Sequence, residues 1–169
     1  MCLVRPGHDP VPRRKSSWSA SLHVWGAIGH NFRVLVFLHE RVNADYYSGI
    51  LQKFLFEDEA MEFMKDQRVL MHYGAPAHSS KKTHDMIASH GVEVLPWAPY
   101  SPDWNPIENL WSILKRRIES SCFTKAEDLK DEIQRAWFSI PQETINNLCK
   151  SFPSRLQRCI EVKGEDCQL

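Results

Sequence analysis

The sequence has no excess of charge of either sign: Lys and Arg number 21, and Asp and Glu number 21, among 169 residues. Neutralising phosphates supplies most of a nucleic-acid binder's affinity, so this balance argues against tight, autonomous binding and leaves a local basic patch as the remaining route. No apolar run approaches the ~18 residues of a membrane-spanning helix. Residues 1–14 lack the apolar core of a secretory signal peptide. An intracellular, soluble chain without a membrane partner, and not secreted, is expected. The five cysteines, at 2, 122, 149, 159 and 167, are odd in number and nowhere at zinc-knuckle spacing. Free thiols in a reducing compartment are therefore expected. There is neither an internal repeat nor a low-complexity linker.

An apolar content of 43% over 169 residues is enough for one domain with its own core. Residues 1–17 hold three prolines and the basic run Arg13-Arg14-Lys15, and read as a basic arm. Residues 18–169 read as the domain. Leu22 to Ile28 and Val34 to Leu38 are strand-like and, with the turn residues Gly29-His30-Asn31 between them, form a hairpin. Asn43 caps a helix with Tyr46, Tyr47, Ile50, Leu51, Phe54 and Leu55 at helical spacing, which continues raggedly through Met61 and Phe63-Met64. Arg68 to Tyr73 is a third strand. A helix opened by Ser79 or Ser80 runs through Ile87 and is closed by Gly91, and Val92 to Leu95 is a fourth strand. Pro96, Pro99 and Pro102 stiffen the next loop. The rest is helical. One stripe is Ile107, Leu110, Trp111, Leu114 and Ile118. A second helix is opened by a Thr124–Glu127 capping box, and a third is opened by Pro141 and broken by Pro153, with a last piece near Leu156 and Ile160. This order predicts an α/β domain with parallel strands joined by crossovers.

The most informative stretch is Ser101-Pro102-Asp103-Trp104-Asn105-Pro106-Ile107-Glu108-Asn109-Leu110-Trp111. Physically it is a helix start: Asn105 at the cap, Pro106 at the first position, and Glu108 at the third, where it meets the helix dipole. With the basic run Lys115-Arg116-Arg117 behind it, this stretch resembles the third catalytic block of mariner-type (Tc/mariner superfamily) transposases of the DDE type. Val24-Trp25-Gly26, Asn43-Ala44-Asp45-Tyr46-Tyr47 and Gly74-Ala75-Pro76-Ala77-His78 are similar to further parts of the same pattern. The likeness covers roughly residues 5 to 165.

The resemblance implies a ribonuclease H-like fold, a mixed sheet with flanking helices. It implies an activity in DNA transposition and integration, through strand cleavage and rejoining. It also implies a site of three carboxylates holding two Mg²⁺ ions, which need hard anionic oxygens. Glu108 matches the third carboxylate, a catalytic and metal-ligating position. The second position, in the family's Asp-Asn-Ala-Pro pattern, is Tyr73 here, with 34 residues between it and Glu108. A tyrosine, with a pKa near ~10, brings no negative charge at neutral pH. His72, one residue back, is expected on the opposite strand face, and His78 is a poor Mg²⁺ ligand. The first Asp belongs to a strand upstream of Val24-Trp25-Gly26. Asp9, between prolines, does not fit it, so the chain is expected to begin downstream of that first, central strand. The hairpin and the strand at 68–73 would then lose their in-sheet neighbour, so that their edges stay open, the two parts of the sheet close up, or a partner strand is recruited. One carboxylate of three remains, Mg²⁺ is not expected to bind productively, and catalytic inactivity follows.

The family's helix-turn-helix units have no counterpart here. Any DNA contact is therefore expected to be weak and non-specific, through Arg13, Arg14 and Lys15, through Lys81-Lys82, or through Lys115, Arg116 and Arg117; the last run shares a helix with Glu108. Nuclear location follows from the family, with the cytoplasm as the alternative. A second copy or a full-length transposase is the expected protein partner, and no small-molecule substrate is expected. The competing reading is a transposon-derived fragment acting through protein contacts alone, or without function. His72, His78, His84 and His90 recur every six residues, which puts no pair one helical turn apart and argues against zinc. Trp25, Trp97, Trp104 and Trp111 could stack on bases, but core packing is the expectation for Trp25 and Trp111.

Overall fold

The computed structural model describes residues 20–39, 41–62, 69–72, 75–97, 101, 104–119, 121 and 123–162. The arm at 1–17, Tyr73 and Gly74 lie outside them.

The first two strands, β1 (His23–Gly29) and β2 (Phe32–Leu38), pair antiparallel from His23↔Leu38 to Gly29↔Phe32. Asn31, at φ 59°, takes the left-handed turn position that Asn tolerates better than other residues with a Cβ. The hairpin lies between two helical layers. Trp25, Ala27 and Phe32 pack toward α1 (Ala44–Leu55) and α3 (Lys81–Ser89). Ile28, Leu35 and Phe37 pack toward α4 (Pro106–Ile118), α5 (Ala126–Ser139) and α6 (Gln142–Glu161). Both faces are covered, which is why β2 reads as a continuous apolar run rather than an alternation.

Asn43 and Ser80 cap α1 and α3, accepting from the Tyr46 and Thr83 N–H at 2.8 and 3.2 Å, and Gly91 has φ 68°. The ragged helix end is a separate five-residue helix, α2 (Asp58–Glu62). Strands β3 (Val69–Leu70) and β4 (Glu93–Val94) pair in parallel across α3. They are shorter than the sequence suggests. The Leu95 N–H still reaches the Leu70 carbonyl at 2.9 Å. Among the described residues the strands form two two-stranded sheets, β1-β2 and β3-β4. Trp25 and Ala27 of one and Leu70 and Val94 of the other pack on the same α1–α3 core.

Two expectations fail in the helical part. The Thr124–Glu127 capping box does not form: α5 begins one residue later, with Lys125 at the cap position and no side-chain cap bond. Burial of the Leu129, Ile133, Ala136 and Trp137 stripe fixes this helix, and the local cap does not. Pro153 does not break α6, which runs through it to Glu161. The helix forgoes the bond from residue 153 to the Cys149 carbonyl, a loss that packing of Ile145, Leu148 and Cys149 on the core offsets.

Candidate active site and nucleic-acid face

Helix α4 carries the informative motif. Buried Asn105 accepts from the Ile107 N–H at 3.2 Å, and the Glu108 N–H reaches the Asn105 carbonyl at 3.0 Å. Glu108 therefore stands in the first turn, half-buried. The helix is seated on β1 at Gly26, where an added Cβ would lie 2.8 Å from the Trp111 ring and 3.3 Å from Ile107 Cδ1. Trp111 in turn lies against Trp137, ring centres 5.1 Å apart, so Trp25 and Trp111 are packing residues and not stacking platforms.

At the other end of α4, Lys115, Arg116 and Arg117 are exposed in the last turn, where positive charge suits the helix dipole. Arg117 donates to Ser139 Oγ at 2.5 Å. Nine residues at the helical rise put Arg117 about 14 Å along the axis from Glu108. The run at Lys81-Lys82 is differently placed: Lys81 pairs with Asp85 at 2.7 Å and Lys82 with Asp45, which occupies both charges. Arg13, Arg14 and Lys15 lie outside the described residues, as does Tyr73. Cys149 and Cys159 are free thiols.

After β3, the loop from Ala75 to Ser80 is pinned by the buried Thr83 hydroxyl, which donates to the Ala77 carbonyl at 2.7 Å. The pin holds His78 face to face with Tyr47 of α1, centres 4.0 Å apart. His72 stacks on His78 at 5.2 Å and meets His84 edge-on at 6.3 Å. The Tyr47 hydroxyl lies 3.1 Å from His72 Nδ1. The sequence reading missed this assembly because its members come from α1, the end of β3, a loop and α3; the only trace was the regular histidine spacing. The imidazoles stack as rings, and among the described residues no three His, Cys, Asp or Glu side chains converge as a metal site.

Burial, followed by repulsion from His78 and His84, lowers the His72 pKa from 6.5 to about 4. Burial pushes the Tyr47 phenol above its usual range, with a bond to Trp25 working the other way. A histidine held neutral in the folded state contributes stability that is fully present above pH 6.5 and is lost as pH falls toward 4. His72 is only half-buried, so screening reduces the effect to about 1–2 kcal/mol. Urea unfolding as a function of pH should show this loss in the wild type and a flatter profile in His72→Gln. Parallel profiles for the two would refute the assignment.

A family model described as DDE superfamily endonuclease matches residues 3–130. Among curated relatives, the chain is 30% identical over 154 residues to the transposable element Tc3 transposase of Caenorhabditis elegans, covering 89% of this chain and 46% of that protein. It is 35% identical over 89 residues to the Tc1 transposase of the same organism, covering 53% of this chain and 33% of that one. The chain thus spans under half the length of these relatives. Among solved structures, the Mos1 transposase catalytic domain with Raltegravir and Mg superposes with a TM-score of 0.67 at 22% identity, covering 79% of this chain and 69% of that one. A Mos1 paired-end complex with the left transposon end gives 0.73 at 21% identity, covering 98% and 50%. The fold is similar to that of the Mos1 catalytic domain, ribonuclease H-like.

Proposed function

The chain belongs to the DDE superfamily endonuclease family, and from that membership we propose a Tc1/mariner-type transposase catalytic domain that keeps weak, non-specific contact with DNA and no longer cleaves it. The observation that carries the reading is Tyr73, which stands where the family pattern has a metal-binding Asp. A site for two Mg²⁺ ions requires several carboxylate oxygens. Of the donors at the motif positions, Glu108 supplies one carboxylate and Tyr73 a neutral phenol. This donor set does not fit the ions, and no cleavage step is assigned to it.

The exposed run Lys115, Arg116 and Arg117 supports the DNA contact: it shares a rigid helix with Glu108, and its charges, unlike those of Lys81 and Lys82, are not spent on carboxylates among the described residues. A second copy or a full-length transposase, in the nucleus, is the partner we propose, in line with the Mos1 paired-end complex.

Incubation with supercoiled plasmid and Mg²⁺ or Mn²⁺ tests the reading. The expected result is no nicking above the metal-free control and no difference between wild type and Glu108→Gln. Metal-dependent nicking that Glu108→Gln abolishes would show a working nuclease. The alternative, a fragment acting through protein contacts alone, draws on the exposed Leu156 and Ile160 of α6. It predicts no DNA binding even at low salt, together with binding to the full-length transposase.

A further inference from the structure

The basic end of α4 does not stand alone. Ser139, which takes the Arg117 guanidinium, is followed back along α5 by Phe138, 53% exposed and the one aromatic among the exposed large hydrophobic side chains of the described residues. Phe138 faces solvent because the α5 stripe is already complete with Leu129, Ile133, Ala136 and Trp137. The guanidinium of Arg33, from β2, lies over its ring, Cζ 5.5 Å from the ring centre. That guanidinium is itself fixed by donating to the Trp137 and Ile140 carbonyls at 3.2 and 2.5 Å. The result is an exposed aromatic ring with a fixed cation over it, and Arg117 held on the neighbouring residue Ser139. Lys115 and Arg116 precede Arg117 in the last turn of α4, and Arg116 Nε donates back to the Ser112 carbonyl at 3.4 Å. Among the described residues none of these four cations is paired with a carboxylate. Glu119 and Glu143, the carboxylates closest in sequence to Arg117 and Phe138, take part in none of these contacts.

An aromatic face beside cations suits an unpaired base, whose ring stacks while its phosphates are neutralised, better than a duplex, whose bases are already stacked. We propose that Phe138 is a stacking platform for an unpaired base of a DNA strand whose phosphates are held by Arg117, Arg116 and Lys115. This deepens the DNA-contact reading and rests on it.

The test is equilibrium binding at low salt of a labelled single-stranded oligonucleotide and of the matching duplex to the whole chain. Phe138→Ala should weaken single-strand binding by about tenfold and leave duplex binding nearly unchanged, and Phe138→Trp should bind the single strand as well as wild type does. Phe138→Leu, which keeps apolar bulk without an aromatic face, should resemble the alanine variant and guards against a folding defect in it. Equal affinity of all four proteins for the single strand would overturn the stacking role and leave the DNA contact standing. An equal loss on both substrates would overturn it as well, since it would make Phe138 a general surface residue. Wild-type protein that bound neither oligonucleotide would sink this proposal and the DNA-contact reading together.

Discussion

Gly26→Val should destabilise the domain by about 3 kcal/mol, although valine is the better strand former. The reason is space. A Cβ at position 26 would sit 2.8 and 2.9 Å from two ring carbons of Trp111, closer than real Cβ atoms come to anything. The ring has little room to retreat, because Trp137, fully buried, lies behind it. Gly26→Ala, which gains something through the unfolded state, should cost less, about 1–2 kcal/mol. Trimming the obstacle with Trp111→Leu in the Gly26→Val background should make the double variant more stable than the sum of the single losses predicts. Thermal and urea unfolding of the set measures this. A Gly26→Val protein that unfolds with the wild type would mean that α4 is not seated on β1 as described. Because Glu108 rides on the same helix as Trp111, this contact also fixes where the motif carboxylate stands.

Arg33→Met should cost about 2–4 kcal/mol, for a different reason. The part-buried guanidinium gives charge-assisted bonds to the Trp137 and Ile140 carbonyls, at the negative end of the α5 dipole. Methionine keeps the apolar stem and leaves both carbonyls without that donor. Arg33→Lys keeps the charge but not the planar group over Phe138, and should lose an intermediate amount. The urea midpoint is the readout. An Arg33→Met protein within error of wild type would show that water replaces the guanidinium at no cost.

What was legible in the sequence was local. Asn43, Asn105 and Gly91 act through their own turn of backbone, and each was found where it was expected. The buried hairpin was legible because covering both faces leaves a continuous apolar run. Pro153 and the Thr124 box depart from the local rules because packing of a distant stripe decides there. The Arg33 clamp and Phe138 leave no signal in the sequence, and the Tyr47–His72–His78–His84 assembly leaves only the regular histidine spacing: each depends on which face of one element meets another. The family blocks lie between these cases. Val24-Trp25-Gly26 and Asn105 to Trp111 were recognised separately, and nothing in either says that they meet. In the fold, Gly26 is the floor on which Trp111 stands.

The hairpin's ties to the C-terminal helices carry a kinetic consequence. Arg33 reaches Ile140 across 107 positions of chain, and Asn31 and Asn146 exchange reciprocal bonds across 115. The hairpin itself closes over a two-residue turn. Loop closure over more than a hundred residues is entropically expensive, so these ties form late, after the local pairing is in place. Interactions absent from the folding transition state act almost wholly on the reverse rate. The asparagine pair and the arginine clamp are therefore brakes on opening: weakening them speeds the loss of the folded state and leaves the rate of its formation nearly untouched.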